Sequence, residues 1–282
     1  MVLQFSKVYL RAWANNAEIA LHGTAKDYQY LGLILLVSHR LLGLRYHCRK
    51  FGGDFDKAYE QMHPIWQWVT AHFLQCSRAN FFETQALVRH FSRFNHRTYW
   101  FPNYRPKVSL RTPNEFRGKF VFVGHVRKEK GIDEILTISD ILPKNWTIDI
   151  YGPLMGYRED EFSRRGLFYK GILEPHQVCG ILASYSGLLL PTFWDGEGYP
   201  GVVIEAFSVG LPAVTTTLPG LKELVTGACG HFIEPHSAES LLGGMKYVAA
   251  DYKTMRAAAI ERFQVFERER VLGEYLALVS GS

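Results

Sequence analysis

Cysteine is scarce in this 282-residue sequence, and its spacing excludes a cysteine-based metal site. The four cysteines are Cys48, Cys76, Cys179 and Cys229. No two of them are close enough along the chain to form a zinc-binding pair. We therefore expect reduced, buried thiols in a cytoplasmic setting and no bound metal.

Long apolar runs are also missing. The longest, residues 31–37, is soon followed by His39 and Arg40 and is too short to span a bilayer. Lys7 and Arg11 interrupt the apolar residues of the first segment, a pattern unlike that of a signal peptide. An apolar fraction of 47% still supplies enough side chains for a folded core. The length predicts one large domain or two ordinary ones.

Acidic residues are sparse in the first part of the chain. Residues 1–110 carry 14 Lys and Arg against 6 Asp and Glu, whereas the remainder carries 18 against 21. The same first part has seven of the eleven histidines. Such a basic surface is typical of contact with anionic lipid or a phosphate-bearing acceptor, although an ordinary solvated face explains it equally well. No nucleic-acid-binding motif is present, so we expect no nucleic-acid partner.

Two glutamates separated by seven residues lie in a glycine-rich stretch. From Asp195 to Gly210 the chain reads D-G-E-G-Y-P-G-V-V-I-E-A-F-S-V-G. Glu197 lies in a turn after the apolar segment 187–190, and Glu205 lies on a predicted helix. A strand, a glycine loop and a helix N-terminus in this order form an anion site, and a carboxylate on the helix can bind hydroxyls. This order of elements suggests that the segment binds a ligand such as a nucleotide-sugar. The alternative is that Glu197 and Glu205 are simply two solvated charges.

Strand and helix patterns alternate after a proline-rich segment. Pro102, Pro106 and Pro113 mark this segment as a linker. The elements predicted beyond it are the strands 120–123, 146–151, 166–170, 187–190, 212–216 and 230–233 and the helices 133–142, 175–185, 202–209, 221–226 and 240–250. The alternation predicts an open parallel sheet with helices on both faces.

Fewer elements precede the linker. They are the strands 19–22, 46–51 and 80–82 and the helices 28–44 and 85–94, with a further helical run up to about residue 73. Three strands are too few for a complete nucleotide-binding sheet. The pattern predicts the second half of such a domain, without its opening β–α units.

Four segments of the chain have the form of known sequence motifs. They are F-V-G-H-V-R-K-E-K-G (122–131), L-P-T-F-W-D-G-E-G-Y-P-G-V-V-I-E-A-F-S-V-G-L-P-A-V-T (190–215), L-P-G-L-K-E-L-V (218–225) and F-P-N (101–103). Together they resemble the retaining glycosyltransferases of family 4, the glycosyl transferases of group 1. That family has a glycine loop ending in E-K-G, an E-x7-E stretch followed by G-x-P-x-V, a G-G-x-x-E-x-V segment and a P-N at the end of its first domain.

The resemblance implies the GT-B fold, an α/β architecture of two Rossmann-like domains with parallel sheets, the first of them incomplete here. Residues 1–104 would form a partial N-terminal, acceptor-side domain, and residues 105–113 the linker. Residues 114–266 would form the C-terminal domain that binds the nucleotide-sugar. The final segment, 267–282, would be a helix that packs back on the first domain.

The resemblance also implies a role for each motif residue. Glu205 would accept hydrogen bonds from the ribose hydroxyls, and Glu197 would contact the donor sugar near the reacting centre. Lys130 would neutralise the departing diphosphate; a surface lysine in a K-E-K run is the alternative. The other donor-binding residues would be Gly124, Gly171, Ile172, Gly198, Tyr199, Pro200, Gly201 and Val202.

Two positions depart from the family pattern. His125 stands where the family commonly has arginine, so Arg127 is expected to supply that charge, and phosphate affinity is expected to vary with pH. Phe51 stands where many members place a histidine. The acceptor side would therefore rely on Arg49, Lys50, Gly52 and Gly53.

The resemblance implies transfer of a sugar, with retention of configuration, from a nucleotide diphosphate donor to a hydroxyl. The donor would be a UDP-sugar, with a GDP-sugar second, and no cofactor would be needed. A glycan or lipid-linked acceptor of surface polysaccharide or glycolipid assembly would place the protein in the cytoplasm, peripherally on the inner membrane face. The alternative is a truncated, inactive nucleotide-sugar-binding remnant or pseudoenzyme partner subunit. GT-B epimerases are a weaker rival, because they are not expected to carry E-G-Y-P-G-V-V-I-E.

Overall fold

A computed structural model describes Arg11, Asn15 and residues 17–280 of the chain. The expectation concerning Lys7 lies outside these residues. The chain divides into two compact units. The first contains the described residues up to Pro102 and those from Ala277 onward, and the second is Asn103–Leu276.

The first unit is built on a four-stranded sheet in which every pairing is parallel. Its strands are β1 (Ile19–Gly23), β2 (Tyr46–Lys50), β3 (Asn80–Phe82) and β4 (Thr98–Trp100), in the order β1-β2-β3-β4. The helices of this unit are Ala25–Leu42, Phe55–Glu60, Pro64–Cys76 and Gln85–Phe91. A parallel sheet in which each strand pairs with the next one along the chain, with helices in the connections, is typical of half of a Rossmann-like sheet.

Aromatic side chains form the core of the first unit. Tyr28 and Phe91 both pack against Phe55, with ring centroids 5.3 and 4.8 Å apart, and Phe91 stacks on Phe82 at 4.8 Å. All four side chains are buried. Burial of large rings gives a small unit much of its hydrophobic stabilisation, which explains why this part of the sequence is rich in aromatics.

The second unit contains a six-stranded sheet, also parallel throughout. Its strands are β5 (Lys119–Val123), β6 (Thr147–Tyr151), β7 (Leu167–Tyr169), β8 (Gly187–Leu190), β9 (Ala213–Thr216) and β10 (Gly230–Ile233), in the order β10-β9-β8-β5-β6-β7. The α-helices that begin in it are Ile132–Ile138, Val178–Leu182, Gly201–Val209, Pro219–Leu224, Ala238–Ala250, Tyr252–Phe263 and Arg268–Ser280. The predicted α/β architecture with two parallel sheets is confirmed.

The strand order of the second unit locates a ligand-binding edge. From β5 the chain continues to β6 on one side, whereas β8 lies on the other side of β5. Ligands of open parallel sheets bind at the carboxyl ends of the strands where the order reverses in this way. The residues that follow Val123, Tyr151 and Leu190 therefore surround the expected site.

Several elements differ from the sequence-based expectations. The helical run before residue 73 is two helices, because Pro64 starts a new one and the His63 side chain accepts a hydrogen bond from Ile65 N at 3.4 Å. Strand β4 was not expected, and neither was helix Tyr252–Phe263. That helix buries only a narrow stripe, Tyr252, Met255, Ala259 and Phe263.

Residues 105–113 lie within the second unit. The backbone N–H of Thr112 donates to Val209 O at 2.8 Å, and the Thr112 side chain is buried. Arg105 N donates to Phe266 O at 3.0 Å. The proline-rich segment is thus fastened to this unit by ordered hydrogen bonds.

The close approach of β5 and β6 at their carboxyl ends requires glycine at position 152. Gly152 has φ +136°, and a Cβ there would collide with Gly124 O and lie 2.8 Å from Gly124 C. We expect Gly152→Ala to lower the apparent free energy of unfolding by about 2 to 3 kcal/mol. Gly243→Ala, on a helix face with open space around it, is the control and should be neutral or slightly stabilising. Equal melting temperatures for the two variants would contradict this account.

Candidate active site

A cavity of about 380 Å³ opens at the carboxyl ends of the central strands of the second unit. The apolar side chains of Val123, Leu173, Val178 and Leu190 line part of it. The residues predicted from sequence that also line it are Gly124, His125, Lys130, Ile172, Glu197, Pro200, Gly201 and Val202. The structure therefore brings the 122–131 loop and the first half of the E-x7-E stretch together.

The most buried charged pair in this cavity is formed by Lys130 and Glu197. Lys130 Nζ donates to Glu197 Oε2, and both side chains are largely excluded from solvent. Thr192 Oγ1 contacts the same oxygen at 3.1 Å. Glu197 Oε1 has no hydrogen-bond partner among residues 17–280. One carboxylate oxygen is thus held by the protein, and the other is left for a ligand.

Two loops hold this pair in place. The loop after β5 is fastened by Gly124 N, which donates to Tyr151 O at 3.0 Å, and by Val126 N, which donates to Pro153 O at 2.9 Å. It is joined to the loop after β8 by Phe193 N, which donates to Glu129 O at 2.9 Å. Because β5 and β8 are adjacent strands, their loops meet over the end of the sheet.

The N-terminus of helix Gly201–Val209 also faces the cavity, since Pro200, Gly201 and Val202 line it. The first turn of a helix has N–H groups without intrahelical partners and carries the positive end of the helix dipole. Together with Lys130 and the exposed His125, this end makes the cavity suited to an anion such as a phosphate.

Glu205 is held by a residue that the sequence did not indicate. Arg105 Nε donates to Glu205 Oε1 at 2.6 Å, and Glu205 Oε2 has no hydrogen-bond partner in the described part of the chain. A Cβ at position 201 would collide with the Arg105 guanidinium, whose Cζ would be 2.8 Å away. Gly201 therefore gives Arg105 the space to reach Glu205. Neither Arg105 nor Glu205 lines the cavity itself.

Trp194 is a second residue that sequence reasoning missed. Its ring lies 4.7 Å from Arg127 Cζ and 5.0 Å from Lys130 Nζ, and the side chain is partly exposed. Cations over an indole face are attracted by the ring quadrupole. Arg127 also pairs with Glu129 at 3.7 Å and does not line the cavity. The sequence feature that could have indicated this residue is a tryptophan within the loop that precedes Glu197.

Three residues expected at the donor pocket, Gly171, Gly198 and Tyr199, do not line the cavity. The Tyr199 side chain is buried; its hydroxyl donates to Glu223 Oε2 at 2.8 Å, and its carbonyl accepts from Asn103 Nδ2 at 2.8 Å. Gly198 is buried, and its carbonyl lies against Gly220. Gly171 O accepts from Gly152 N at 2.9 Å, and Gly171 directly precedes Ile172, which lines the cavity.

The residues expected on the acceptor side lie at the carboxyl end of β2 in the first unit. Arg49 Cζ lies 4.6 Å from the Phe51 ring and 4.0 Å from the Phe101 ring. Lys50 is buried, and burial lowers the pKa of its ammonium against the opposing pull of nearby carboxylates. Among those carboxylates, Glu83 Oε2 accepts from Gly52 N at 3.0 Å. Gly53 is partly exposed beside it.

No group of three histidine, cysteine or carboxylate side chains suited to a metal ion occurs within the described residues.

A family model matches the part of the chain that builds this cavity. The family is described as "Glycosyl transferases group 1", and the match covers residues 110–264. The chain belongs to this family. The match includes the loop with Lys130, both glutamates and the strands between them.

Similar curated proteins are glycosyltransferases. A putative teichuronic acid biosynthesis glycosyltransferase, TuaC, of Bacillus subtilis is 30% identical over 121 residues, which cover 43% of this chain and 30% of that protein. O-antigen chain mannosyltransferase B of Escherichia coli is 26% identical over 137 residues, covering 45% of this chain and 35% of that protein. The alignments thus span about a third of the length of these relatives.

Solved structures show the same fold at low sequence identity. Anabaena Alr3699/HepE in complex with UDP matches with a TM-score of 0.78 and 15% identity, covering 98% of this chain and 82% of that one. The lipopolysaccharide outer core galactosyltransferase WaaB in its apo form matches with a TM-score of 0.73 and 12% identity, covering 99% and 79%. The predicted GT-B architecture is confirmed by these likenesses.

The buried Lys130–Glu197 pair predicts a measurable coupling in the absence of any ligand. Lys130→Met would leave a buried carboxylate without its cation and should cost about 3 kcal/mol of unfolding free energy. Combining it with Glu197→Gln removes the charge, so the double variant should be more stable than the Lys130→Met variant. Thermal unfolding of both single variants and the double variant measures this coupling.

Lys128→Met is the matched control, because Lys128 is exposed and its contact with Asp133 is 3.7 Å long. That substitution should change stability by less than about 0.5 kcal/mol. Strictly additive effects of the Lys130 and Glu197 substitutions would show that the pair is not coupled.

Proposed function

We propose that the chain transfers a sugar from a nucleotide diphosphate donor to a hydroxyl acceptor. The observation that carries the proposal is the cavity in which Lys130, the free oxygen of Glu197 and the N-terminus of helix Gly201–Val209 converge. These groups match the parts of such a donor. Lys130 and the helix N-terminus suit the diphosphate, and the carboxylate of Glu197 suits the sugar hydroxyls. Membership of the glycosyl transferases group 1 family supports the same reaction.

Glu205 completes the donor site in this proposal. Arg105 holds its Oε1, so the orientation of the carboxylate is set before a nucleotide arrives. The Oε2 atom can then accept hydrogen bonds from the ribose hydroxyls. Such preorganisation reduces the entropy lost on binding.

We infer a UDP-sugar as the donor, with a GDP-sugar as the second choice. Several solved structures with the same fold were obtained with UDP, among them Alr3699/HepE and the pneumococcal O-GlcNAc transferase GtfA. We expect the backbone around Gly171 and Ile172 to recognise the base, and Ile172 lines the cavity.

The proposed reaction proceeds with retention of the anomeric configuration. The bond between the anomeric carbon and the phosphate oxygen breaks while the acceptor oxygen forms its bond on the same face of the sugar. The acceptor proton passes to the departing diphosphate oxygen. Lys130 and the helix N-terminus would stabilise the charge that develops on the diphosphate, and Glu197 would position the sugar.

We infer a glycan or lipid-linked acceptor used in surface polysaccharide or glycolipid assembly. The names of similar proteins support this class: teichuronic acid for TuaC, O-antigen for the mannosyltransferase and lipopolysaccharide outer core for WaaB. The basic first unit, with Arg49 and the buried Lys50 at the end of β2, suits an acceptor that carries phosphate.

A nucleotide-sugar-binding partner subunit without transferase activity is the second candidate. Two departures from the family pattern, His125 and Phe51, favour it, because each replaces a residue that other members place near the donor or acceptor. Binding of the donor without hydrolysis or transfer, by this chain and by any longer form of the protein, would establish this second candidate.

The two glutamates should separate binding from turnover. Glu205→Gln should weaken donor binding at least about tenfold with a smaller effect on turnover, because it loses charge-assisted bonds to ribose. Glu197→Gln should lower turnover about a hundredfold with little change in affinity. Calorimetric titration with UDP-sugar and an assay of UDP release measure the two quantities.

Glu239→Gln, an exposed carboxylate at the start of helix Ala238–Ala250, is the matched control and should change neither quantity. If both active-site substitutions weaken affinity alike and leave turnover unchanged, the proposed division of roles is wrong.

The donor class can be tested without knowing the acceptor. A ligand that binds the native state stabilises the protein, by about 2.7 kcal/mol when the ligand concentration is a hundred times the dissociation constant. The melting temperature rises as a result. UDP-sugars should raise the melting temperature more than GDP-sugars, and Lys130→Met should abolish the rise. A panel in which no nucleotide-sugar stabilises the protein would contradict the proposal.

A further inference from the structure

One helix of the first unit carries a row of exposed apolar side chains. In helix Ala25–Leu42 these are Tyr30, Ile34, Val37 and Leu41, which are 61%, 45%, 46% and 76% exposed. Their spacing of four, three and four residues places them along a single face of the helix. The opposite face, with Tyr28 and Leu35, is buried in the core of the unit.

The neighbouring helix extends this row sideways. Helix Pro64–Cys76 exposes Ile65 and Trp68, at 61% and 57%. The two helices touch through the rings of Tyr30 and Trp66, whose centroids are 5.5 Å apart. We call the six residues Tyr30, Ile34, Val37, Leu41, Ile65 and Trp68 the apolar face.

A groove of about 460 Å³ runs between the two helices within the apolar face. Val37, Leu41 and Trp68 line it together with Leu33 and Leu36. Single exposed apolar residues are normal on a protein surface, but a contiguous group of this kind marks a binding surface.

On the two helices that carry the apolar face, Lys26 and Arg40 outnumber the single carboxylate, Asp27. The sequence has no aspartate or glutamate from Tyr28 to Gly53, nor from Gln61 to Phe82. Lys26, Arg40 and Arg45 are exposed at the two ends of helix Ala25–Leu42. The nearest carboxylate along that helix, Asp27, is engaged in the helix cap, where it accepts from Thr24 N at 2.7 Å.

We propose that the apolar face docks on the surface of an anionic lipid bilayer. An apolar stripe flanked by lysine and arginine is the pattern of helices that lie in the interface of a membrane. Trp68 and Tyr30 suit the headgroup boundary, where an aromatic ring can be buried while its polar group stays wet. Arg40 and Arg45 supply attraction to anionic headgroups, and no carboxylate on these stretches opposes it.

Among the described residues, no helix has the length and hydropathy of a membrane span. A protein partner would also cover an apolar groove, but the exposed Lys26, Arg40 and Arg45 beside it favour a continuous anionic surface. The inference stands apart from sugar transfer: vesicle binding needs no nucleotide, so its failure and the failure of the proposed reaction are separately observable.

Co-sedimentation with vesicles tests the proposal. The intact chain should bind vesicles that contain phosphatidylglycerol, bind pure phosphatidylcholine vesicles at least about tenfold more weakly, and lose binding as salt is raised. Leu41→Glu and Ile65→Glu should each weaken binding at least about tenfold. Leu276→Glu is the matched control, since Leu276 is 61% exposed on helix Arg268–Ser280 and should leave binding unchanged.

A second measurement uses the wild-type fold and does not depend on the glutamate variants. Lipids brominated near the headgroup should quench the tryptophan fluorescence of the bound protein, and Trp68→Phe should remove most of that quenching. Absence of vesicle binding, equal binding to both lipid compositions, or quenching unchanged in the Trp68→Phe variant would overturn the proposal. So would self-association that Leu41→Glu abolishes in a protein that binds no vesicles, because the occupant would then be a second copy.

Discussion

The buried pair of Lys130 and Glu197 is the interaction on which the candidate site depends. Two opposite charges can be buried only when each satisfies the other, because an unpaired one would be too costly to desolvate. The pair forms because β5 and β8 are neighbours in the sheet, so the loops that follow them meet at one edge. Phe193 N, bonded to Glu129 O, joins the same two loops. Strand order therefore determines which side chains meet.

Much of the fold follows from local patterns in the sequence. Buried parallel strands read as short apolar runs between glycines and prolines, and Gly187–Leu190 and Gly230–Ile233 have the predicted bounds. Two elements, strand β4 and helix Tyr252–Phe263, were not predicted because their sequence patterns are weak. Strand β4 has only three residues beside polar neighbours, and helix Tyr252–Phe263 buries one narrow stripe. Both are stabilised by contacts with distant parts of the chain, which no local periodicity records.

The site was predictable only as far as its motifs reach. The glycine loop and the E-x7-E stretch indicated Lys130, Glu197 and the N-terminus of helix Gly201–Val209, which the structure brings around one cavity. Arg105 and Trp194 were not foreseen, because their importance comes from partners: Glu205 lies a hundred positions after Arg105. The resemblance placed the backbone of Tyr199 beside the ligand, and it gave no indication that the Tyr199 side chain is buried and bonded to Glu223. A residue's neighbours in space decide its role, and sequence spacing gives them only within one element.

Above all, we propose that the cavity at the carboxyl ends of β5 and β8 binds a nucleotide diphosphate. A crystal structure of the chain with UDP tests it most directly. The account predicts diphosphate oxygens within hydrogen-bond distance of Lys130 Nζ and of the backbone N–H groups of Gly201 or Val202, with the ribose hydroxyls on Glu205 Oε2. Density for UDP elsewhere on the protein, or an empty cavity at saturating UDP, would contradict it.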